Sequence, residues 1–408
     1  MLNELMHDAT QERYEPAPAA TGIGQDVLPD VYRDAPEVAQ RMAPDVPVFC
    51  FSRNALAHQL KRFQDGFPGK VTYAVKANPS PEIIGALSTL GMTTFDVASP
   101  VEMELVRKFC PRAILHYHNP IKSRSEIEQA YRAFGVRHFA VDDKTEIEKI
   151  AHVVGTRSDV ELVIRFRAAK NRAVCDFTSK FGADMAYAAE LLQLADELGF
   201  NTALTFHPGS QCIDPVSYVE NIEAAAEISR RAGVVLKQLN VGGGFPVKFP
   251  GQQTPPLSAF FKAIDTATRA AFGDKRPDLT AEPGRAIVAG CTSLLVRVKH
   301  RRSESDDLFI NDGIYGALME LTQVPIDLPC RALRGAQVLE GQMKDFVIFG
   351  PTCDPLDRLP RTVRLPLDVT EGDWIEFGLV GAYGAATATR FNGYGAIQTT
   401  DAASVLSS

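Results

Sequence analysis

Between residues 71 and 282 the chain repeats one unit: a short apolar, β-branched run, a polar loop and an amphipathic stretch. The runs are Val71–Lys76, Met92–Val97, Ala113–Tyr117, Arg137–Val141, Glu161–Phe166, Thr202–His207, Gln238–Gly242 and Asp278–Glu282. Helical patterns fill the gaps, over Pro81–Leu90, Pro100–Phe109, Ser123–Phe134, Lys144–Val154, Ala183–Leu198, Pro215–Ala232 and Leu257–Phe272. Strands that alternate with helices pair in parallel, because each crossover returns the chain to the same end of the sheet. Eight such units fit a closed (β/α)8 barrel better than an open doubly wound sheet. The longest gap between runs holds the loop Ala168–Gly182.

After about residue 290 the texture changes. Short β-rich runs (Ser293–Val298, Leu308–Ile310, Asp345–Phe349, Arg361–Leu365, Trp374–Phe377) alternate with Gly, Pro and Asp turns, which predicts a mostly antiparallel β domain over 289–408. Residues 1–25 have no periodicity and read as a mobile arm. Residues 26–52 contain one strand-like run, VPVFCF, expected to join the β domain and leave 53–288 for the barrel. A net charge of −7 argues against general nucleic-acid binding, which needs a basic face. No run of 18 or more apolar residues suits a membrane span, and the N-terminus lacks the basic and apolar regions of a secretory signal. The seven cysteines are scattered, without CxxC or zinc-type spacing, so reduced thiols, a cytoplasmic location and no metal site are expected.

In such a barrel the reacting groups gather at the C-terminal strand ends. The predicted ends deliver Lys76, Asp96, Arg165, His207, the run Gly242–Gly244, and Glu282 followed by Pro283, Gly284 and Arg285. Each has two readings. Lys76 ends an apolar strand, where a lysine either lays its stem on apolar surface or serves as a Schiff-base nucleophile whose amine is kept neutral by desolvation. The triple glycine is a plain turn, or a place where backbone N–H groups approach a phosphate. Glu282 and Arg285 form a structural ion pair, or divide between a pyridine nitrogen and a phosphate, with Gly284 allowing close backbone approach. His207 is a satisfied core histidine, or stacks on a flat ring beside the donors Gly209 and Ser210. In the β domain, Cys353 and Asp354 of GPTCDPLD are turn residues, or an acid and a substrate contact.

Taken in order, YAVKAN, FDVASPVEMELV, SKFG (179–182), FHPGSQC, NVGGGFP, AEPGR, NDGIYG (311–316), GPTCDPLD and GAY…FNG resemble the fold-type III pyridoxal-phosphate decarboxylases over about residues 45–395. The similarity is to the eukaryotic-type ornithine decarboxylase group, with diaminopimelate and arginine decarboxylases and alanine racemase as wider kin. The resemblance implies pyridoxal 5'-phosphate as cofactor, held covalently by Lys76. It places Asp96 and Arg165 beneath the cofactor and His207 against its ring. Glu282 would face the pyridine nitrogen. Ser210, Gly243, Gly244, Arg285 and Tyr383 would hold the phosphate. The family's head-to-tail homodimers share active sites, so Cys353 and Asp354 would reach the partner's site. There Cys353 would return a proton after CO2 leaves, and Asp354 would place the substrate's distal amine.

Two departures stand out. Where these decarboxylases carry a Tyr-Asp pair that grips the distal amine, this chain has Gln323 and Val324, with Asp327 the nearest acid downstream. Pro208 replaces a small apolar residue in HPGS. The expected activity is decarboxylation of L-ornithine to putrescine, in polyamine synthesis. Lysine, arginine or another diamino acid remain alternatives, as do racemization and a non-catalytic regulatory homologue. The retained Lys76, Glu282, Arg285 and Cys353 argue against the last of these.

Overall fold

The computed structural model describes residues 31–155, 158–167 and 180–407. The arm of residues 1–25, residues 26–30, most of the loop Ala168–Gly182, and Ser179 of SKFG lie outside them. Strand β1 (Val48–Phe51) precedes the barrel. The barrel strands are β2 (Lys70–Val71), β3 (Tyr73–Ala74), β4 (Thr94–Val97), β5 (Ile114–Tyr117), β6 (His138–Val141), β7 (Glu161–Arg165), β8 (Asn201–Thr205), β9 (Gln238–Asn240) and β10 (Asp278–Ala281). All pair in parallel, in the order β2-β10-β9-β8-β7-β6-β5-β4-β3.

Only Thr72 separates β2 from β3, so the two edges of this sheet are one stretch of chain and the sheet closes into a barrel. Val71 is in register with Ala281 of β10, whereas Tyr73 is in register with Phe95 of β4. The single run expected over Val71–Lys76 is therefore a strand that changes partner midway and ends at Ala74. Lys76 sits beyond it, in a 3-10 turn over Val75–Ala77. The helices between strands start where short polar side chains accept their first free N–H groups: Ser52, Ser99, Asp143 and Asp184 do so, and Ser123 forms a reciprocal cap with Glu126.

Period-2 alternation sends every second strand residue into the barrel lumen. Such lumens are generally filled by layers of branched aliphatic side chains. Here the inward set is small or polar: Ala140, Val163 and Ala203 form a separate little cluster, and around them stand Asp96, His116, His118, Asn240, Thr280 and Glu282, all buried. The large apolar residues pack outside the strands, under the helices.

The second sheet contains β11 (Thr292–Arg301), β12 (Asp307–Ile310), β13 (Cys330–Arg334), β14 (Gln337–Val338), β15 (Met343–Phe349), β16 (Val363–Pro366), β17 (Trp374–Phe377) and β18 (Gln398–Asp401). Its order is β14-β13-β17-β11-β12-β15-β16, and β1 pairs antiparallel with β11 and parallel with β18. Apart from β1–β18, only β12–β15 is parallel. This sheet encloses its own core, with Phe49, Leu294, Ile348 and Phe377 among its members. It is locked to the barrel mouth by hydrogen bonds: the Tyr383 N–H donates to the Ala77 carbonyl at 2.7 Å, and the Asn78 side-chain Nδ2 donates to the Gly381 carbonyl at 2.7 Å.

The GPTCDPLD turn is organised by Asp357, which is 1% exposed. Its carboxylate accepts from the N–H groups of Ile314 (3.1 Å) and Thr352 (3.0 Å) and from the Thr352 hydroxyl (2.8 Å). Gly350 and Gly313 are required around it, since a Cβ at either would lie 2.2 or 2.3 Å from its Oδ1. Asp357→Ala strands these buried donors, and a loss of about 3 kcal/mol is expected. A urea midpoint within error of the parent would contradict this account of the turn.

Candidate active site

A cavity of about 730 Å³ opens at the C-terminal end of the barrel, bounded by Lys76, His207, Gly243, Glu282, Arg285 and Tyr383, among others. A smaller one of about 230 Å³, bounded by Asp96, His118 and Arg165, shares Lys76, His207 and Glu282 with it. Lys76 shows 46% of its side chain, and it lines both cavities. Its Nζ lies 3.7 Å from Asp96 Oδ2. Burial opposes the lysine's charge, but Asp96, with Tyr383 and Glu282, outweighs it and holds the pKa above the ordinary lysine value. Burial and the neighbouring Glu282 push Asp96 up to about 7, so it can exchange a proton near neutral pH.

Glu282 follows β10, and its N–H is anchored to the Gly242 carbonyl at 2.8 Å. Its Oε1 accepts from Asn240 Nδ2 at 2.5 Å and meets His118 Nδ1 in a short contact. Burial alone would raise its pKa; His118, Lys76 and the Asn240 hydrogen bond outweigh that and keep it ionised, below the usual carboxylate range. His207 lies past the end of β8, and its Nδ1 accepts the Gly209 N–H at 3.1 Å. Burial, with the Lys76 and Arg165 charges, holds it down to about 3, so its ring is neutral.

The glycine run forms a cradle by necessity. A Cβ at position 243 would lie 2.6 Å from the Glu282 carbonyl oxygen, and one at 244 would lie 2.2 Å from the Gly209 oxygen. Gly244 also has φ +85°, a region L side chains rarely adopt. Arg285 Nη2 reaches the Ser210 hydroxyl at 3.3 Å, and its guanidinium lies 4.9 Å from the centre of the Tyr383 ring. Tyr383 holds φ +62°, an uncommon conformation that the flanking backbone bond to Ala77 helps to impose. A cation beside a hydroxyl, with glycine backbone lining the same cavity, suits a phosphate.

The structure thus brings together around one space Lys76, Asp96, Arg165, His207, Ser210, Gly243, Gly244, Glu282, Gly284, Arg285 and Tyr383. Gln323 and Val324 line the larger cavity as well. Asp327 does not: its exposed carboxylate pairs with Arg361 at 2.9 Å and lines a different pocket. The chain turns away at Pro325, so closeness in sequence to Gln323 did not carry over to space. Cys353 and Asp354 also lie outside this chain's own cavity. Cys353 is exposed, with its N–H bonded to Asn392, and Asp354 accepts from the Tyr315 hydroxyl at 2.5 Å.

Three groups escaped the sequence reading. His116 on β5 and His118 just past its end stand two residues apart, a spacing that puts both on one face, and HYHNP was a visible signal for it. Asn240 immediately precedes the glycine run. Glu320, in a 3-10 turn over Met319–Thr322, pairs with Arg285 in two contacts, one at 2.9 Å, and lines the cavity; no spacing rule points to it. His116, His118 and Glu282 also bring possible metal-ligand atoms within 4.8 Å of one another, a grouping that linear spacing concealed.

Residues 53–289 match the model of the family described as pyridoxal-dependent decarboxylase, pyridoxal binding domain. The chain is 32% identical over 331 residues to a lysine/ornithine decarboxylase of Selenomonas ruminantium, covering 79% of this chain and 81% of that one. It is 32% identical over 352 residues to ornithine decarboxylase of Mus musculus, covering 79% and 73%. Its fold is similar to that of lysine/ornithine decarboxylase from Vibrio vulnificus complexed with putrescine, with a TM-score of 0.77, 29% identity, and coverage of 89% and 96%.

The Lys76–Asp96 pair has a measurable consequence. The carboxylate raises the lysine pKa, so Asp96→Asn lowers it, and neutral amine exists at lower pH. The pH midpoint for reductive methylation of Lys76, read by peptide mass, is expected to shift down; an upward or absent shift would mean that Asp96 does not control this amine.

Proposed function

We propose, for a chain that belongs to the pyridoxal-dependent decarboxylase family, that it removes the α-carboxylate of a basic L-amino acid, with L-ornithine as substrate and putrescine as product. The observation that carries this reading is the convergence on one cavity of an amine (Lys76), an ionised buried carboxylate (Glu282) and a cradle of Ser210, glycine backbone and Arg285. These are the three recognition needs of pyridoxal 5'-phosphate: its aldehyde, its ring nitrogen and its phosphate. The close backbone approach at Gly243 and Gly244 and the cavity volume fit such a group.

When bound, the cofactor supplies an electron sink for the pair left behind as CO2 departs. The chain's residues make that sink effective. Glu282, ionised and held by His118 and Asn240, would keep a proton on the ring nitrogen. Asp96, 3.7 Å from Lys76 Nζ, would hold the lysine head in place beside the cofactor's aldehyde. His207, neutral and half-buried, can offer a flat face without adding charge beside the ring. Arg285, Ser210 and the Gly243–Gly244 backbone would hold the phosphate, and Tyr383 would close that end.

Proton return calls for an acid near the substrate. Cys353 suits the role if it comes from a second copy, since it is exposed and lies on a turn fixed by Asp357, away from its own chain's cavity. This supports a head-to-tail homodimer with shared sites, in which Asp354 contacts the distal amine. Lysine is the second substrate to consider, because Gln323 and Val324, in place of an acid, line the cavity.

Release of CO2 from L-ornithine, L-lysine, L-arginine, 2,4-diaminobutyrate and meso-diaminopimelate tests the substrate. Ornithine is expected to lead; silence from every basic amino acid, with cofactor bound, would overturn the proposal. Borohydride should fix the cofactor to Lys76, and covalent fixation in Lys76→Ala would remove that lysine from its role. Mixing Lys76→Ala with Cys353→Ala chains should restore part of the activity through mixed dimers, and none despite proven heterodimers would refute a shared site.

A further inference from the structure

The polar lumen beneath the site contains a feature that decarboxylation as such does not require. From the barrel floor to Glu282 runs a column of three histidines. His138 Nδ1 lies 2.9 Å from Glu161 Oε1, and the rings of His138 and His116 are centred 4.4 Å apart. The rings of His116 and His118 follow at 5.1 Å, and His118 Nδ1 contacts Glu282 Oε1. His116 and His118 are buried, at 5% and 9% exposure. Imidazoles are costly to bury where branched aliphatics would serve, so their placement calls for a use.

We propose that His118 is a positioning residue for Glu282: its contact to one carboxylate oxygen fixes the rotation of the group that would face the cofactor nitrogen. His118 Nδ1 and Asn240 Nδ2 converge on the same oxygen, Oε1. Among the described residues none bonds Oε2, so the carboxylate is pinned by one oxygen and can present the other. Asn240 is itself held, its Oδ1 accepting the Gly242 N–H at 2.8 Å, which ties the pin to the phosphate cradle.

The ring's charge follows from what surrounds it. Facing His118 are Glu282 after β10, Asp96 on β4 with Oδ1 at 3.9 Å, Glu161 on β7 and His116 on β5. Burial works against an imidazolium, but the two near carboxylates with Glu161 outweigh it, and its pKa lies above the ordinary histidine value. His116 is the converse: burial and the rings on either side hold it well below that value, so a neutral ring stacks under the charged one. Asp96 and Glu282 otherwise face each other as like charges, with Lys76 as the nearest remaining cation. His118 offsets that repulsion from beneath and leaves the cavity side open.

This inference rests on the proposed role of Glu282 toward the cofactor, but its first readout needs no cofactor. In the cofactor-free chain, the Nδ1 signal of His118, assigned by its absence in His118→Asn, should move in Glu282→Gln, as a ring in contact with that carboxylate requires. A signal that Glu282→Gln leaves in place overturns the proposal, and so does stoichiometric divalent metal on elemental analysis, which would claim the same ligand atoms. In the holoenzyme, His118→Asn keeps a neutral donor where Nδ1 stood, and His118→Phe keeps bulk alone. His118→Phe should lower kcat on the order of 10- to 100-fold, the usual cost of losing an orienting partner, with KM nearly unchanged and an altered pH dependence of the bound cofactor's absorbance. His118→Asn should recover most of kcat. Unchanged kcat and spectrum in His118→Phe, or equal loss in a folded His118→Asn, would also overturn it. Borohydride fixation to Lys76 separates the two readings: if the parent chain takes no cofactor, the proposed function fails, while the response of the His118 Nδ1 signal to Glu282→Gln still decides the pair.

Discussion

The barrel mouth depends on one buried carboxylate, Glu282. A carboxylate at 8% exposure is tenable only if charge and hydrogen bonds compensate its lost hydration. Three separate elements supply them: His118 after β5, Asn240 at the end of β9, and Lys76 in the turn after β3. Those same contacts bind the strand ends into fixed mutual positions. The glycine run follows Asn240, and Gly242 caps its side chain, so the backbone cradle and the carboxylate form one network. Removing any member leaves a charge or a donor stranded in a closed space.

The second structural debt is to the β domain. A barrel end by itself offers the strand-end residues; the β domain closes the space above them. Tyr383 arrives through a backbone bond to Ala77, one residue from Lys76. Glu320, Gln323 and Val324 come from the segment after NDGIYG, and Glu320 pairs with Arg285. Asp357 secures that segment against the turn that carries Cys353 and Asp354. Lys76, His207 and Glu282 thus reach the cavity from the barrel, and Glu320, Gln323, Val324 and Tyr383 from the β domain.

Legibility in the sequence followed the same division. The alternation of apolar runs and amphipathic stretches reports parallel pairing directly, because each helical crossover returns the chain to the same end of the sheet. Strand ends then locate Lys76, Asp96, Arg165, His207 and Glu282 without any contact being known. The split of the first strand at Thr72 was not visible, since both halves read as one apolar run and only the partners differ. His118 was within reach of the alternation rule, but a lone histidine run carries no sign of which face is the lumen until the barrel closes. Asp327 failed for the opposite reason: adjacency along the chain suggested adjacency in space, and Pro325 with the exposed Arg361 pair led it elsewhere.

By itself the sequence determined the layered architecture, the set of residues at one barrel end and, through ordered motifs, the family. These follow from local rules: side-chain periodicity, turn chemistry and the spacing of glycines. Only the tertiary structure decided which groups share a charge environment. Asp96 and Glu282 carry like side chains, and nothing local separates them, yet one is pushed toward neutrality and the other held ionised. That difference arises from burial and from partners contributed by other strands, and such long-range electrostatics are written in no segment of the chain taken alone.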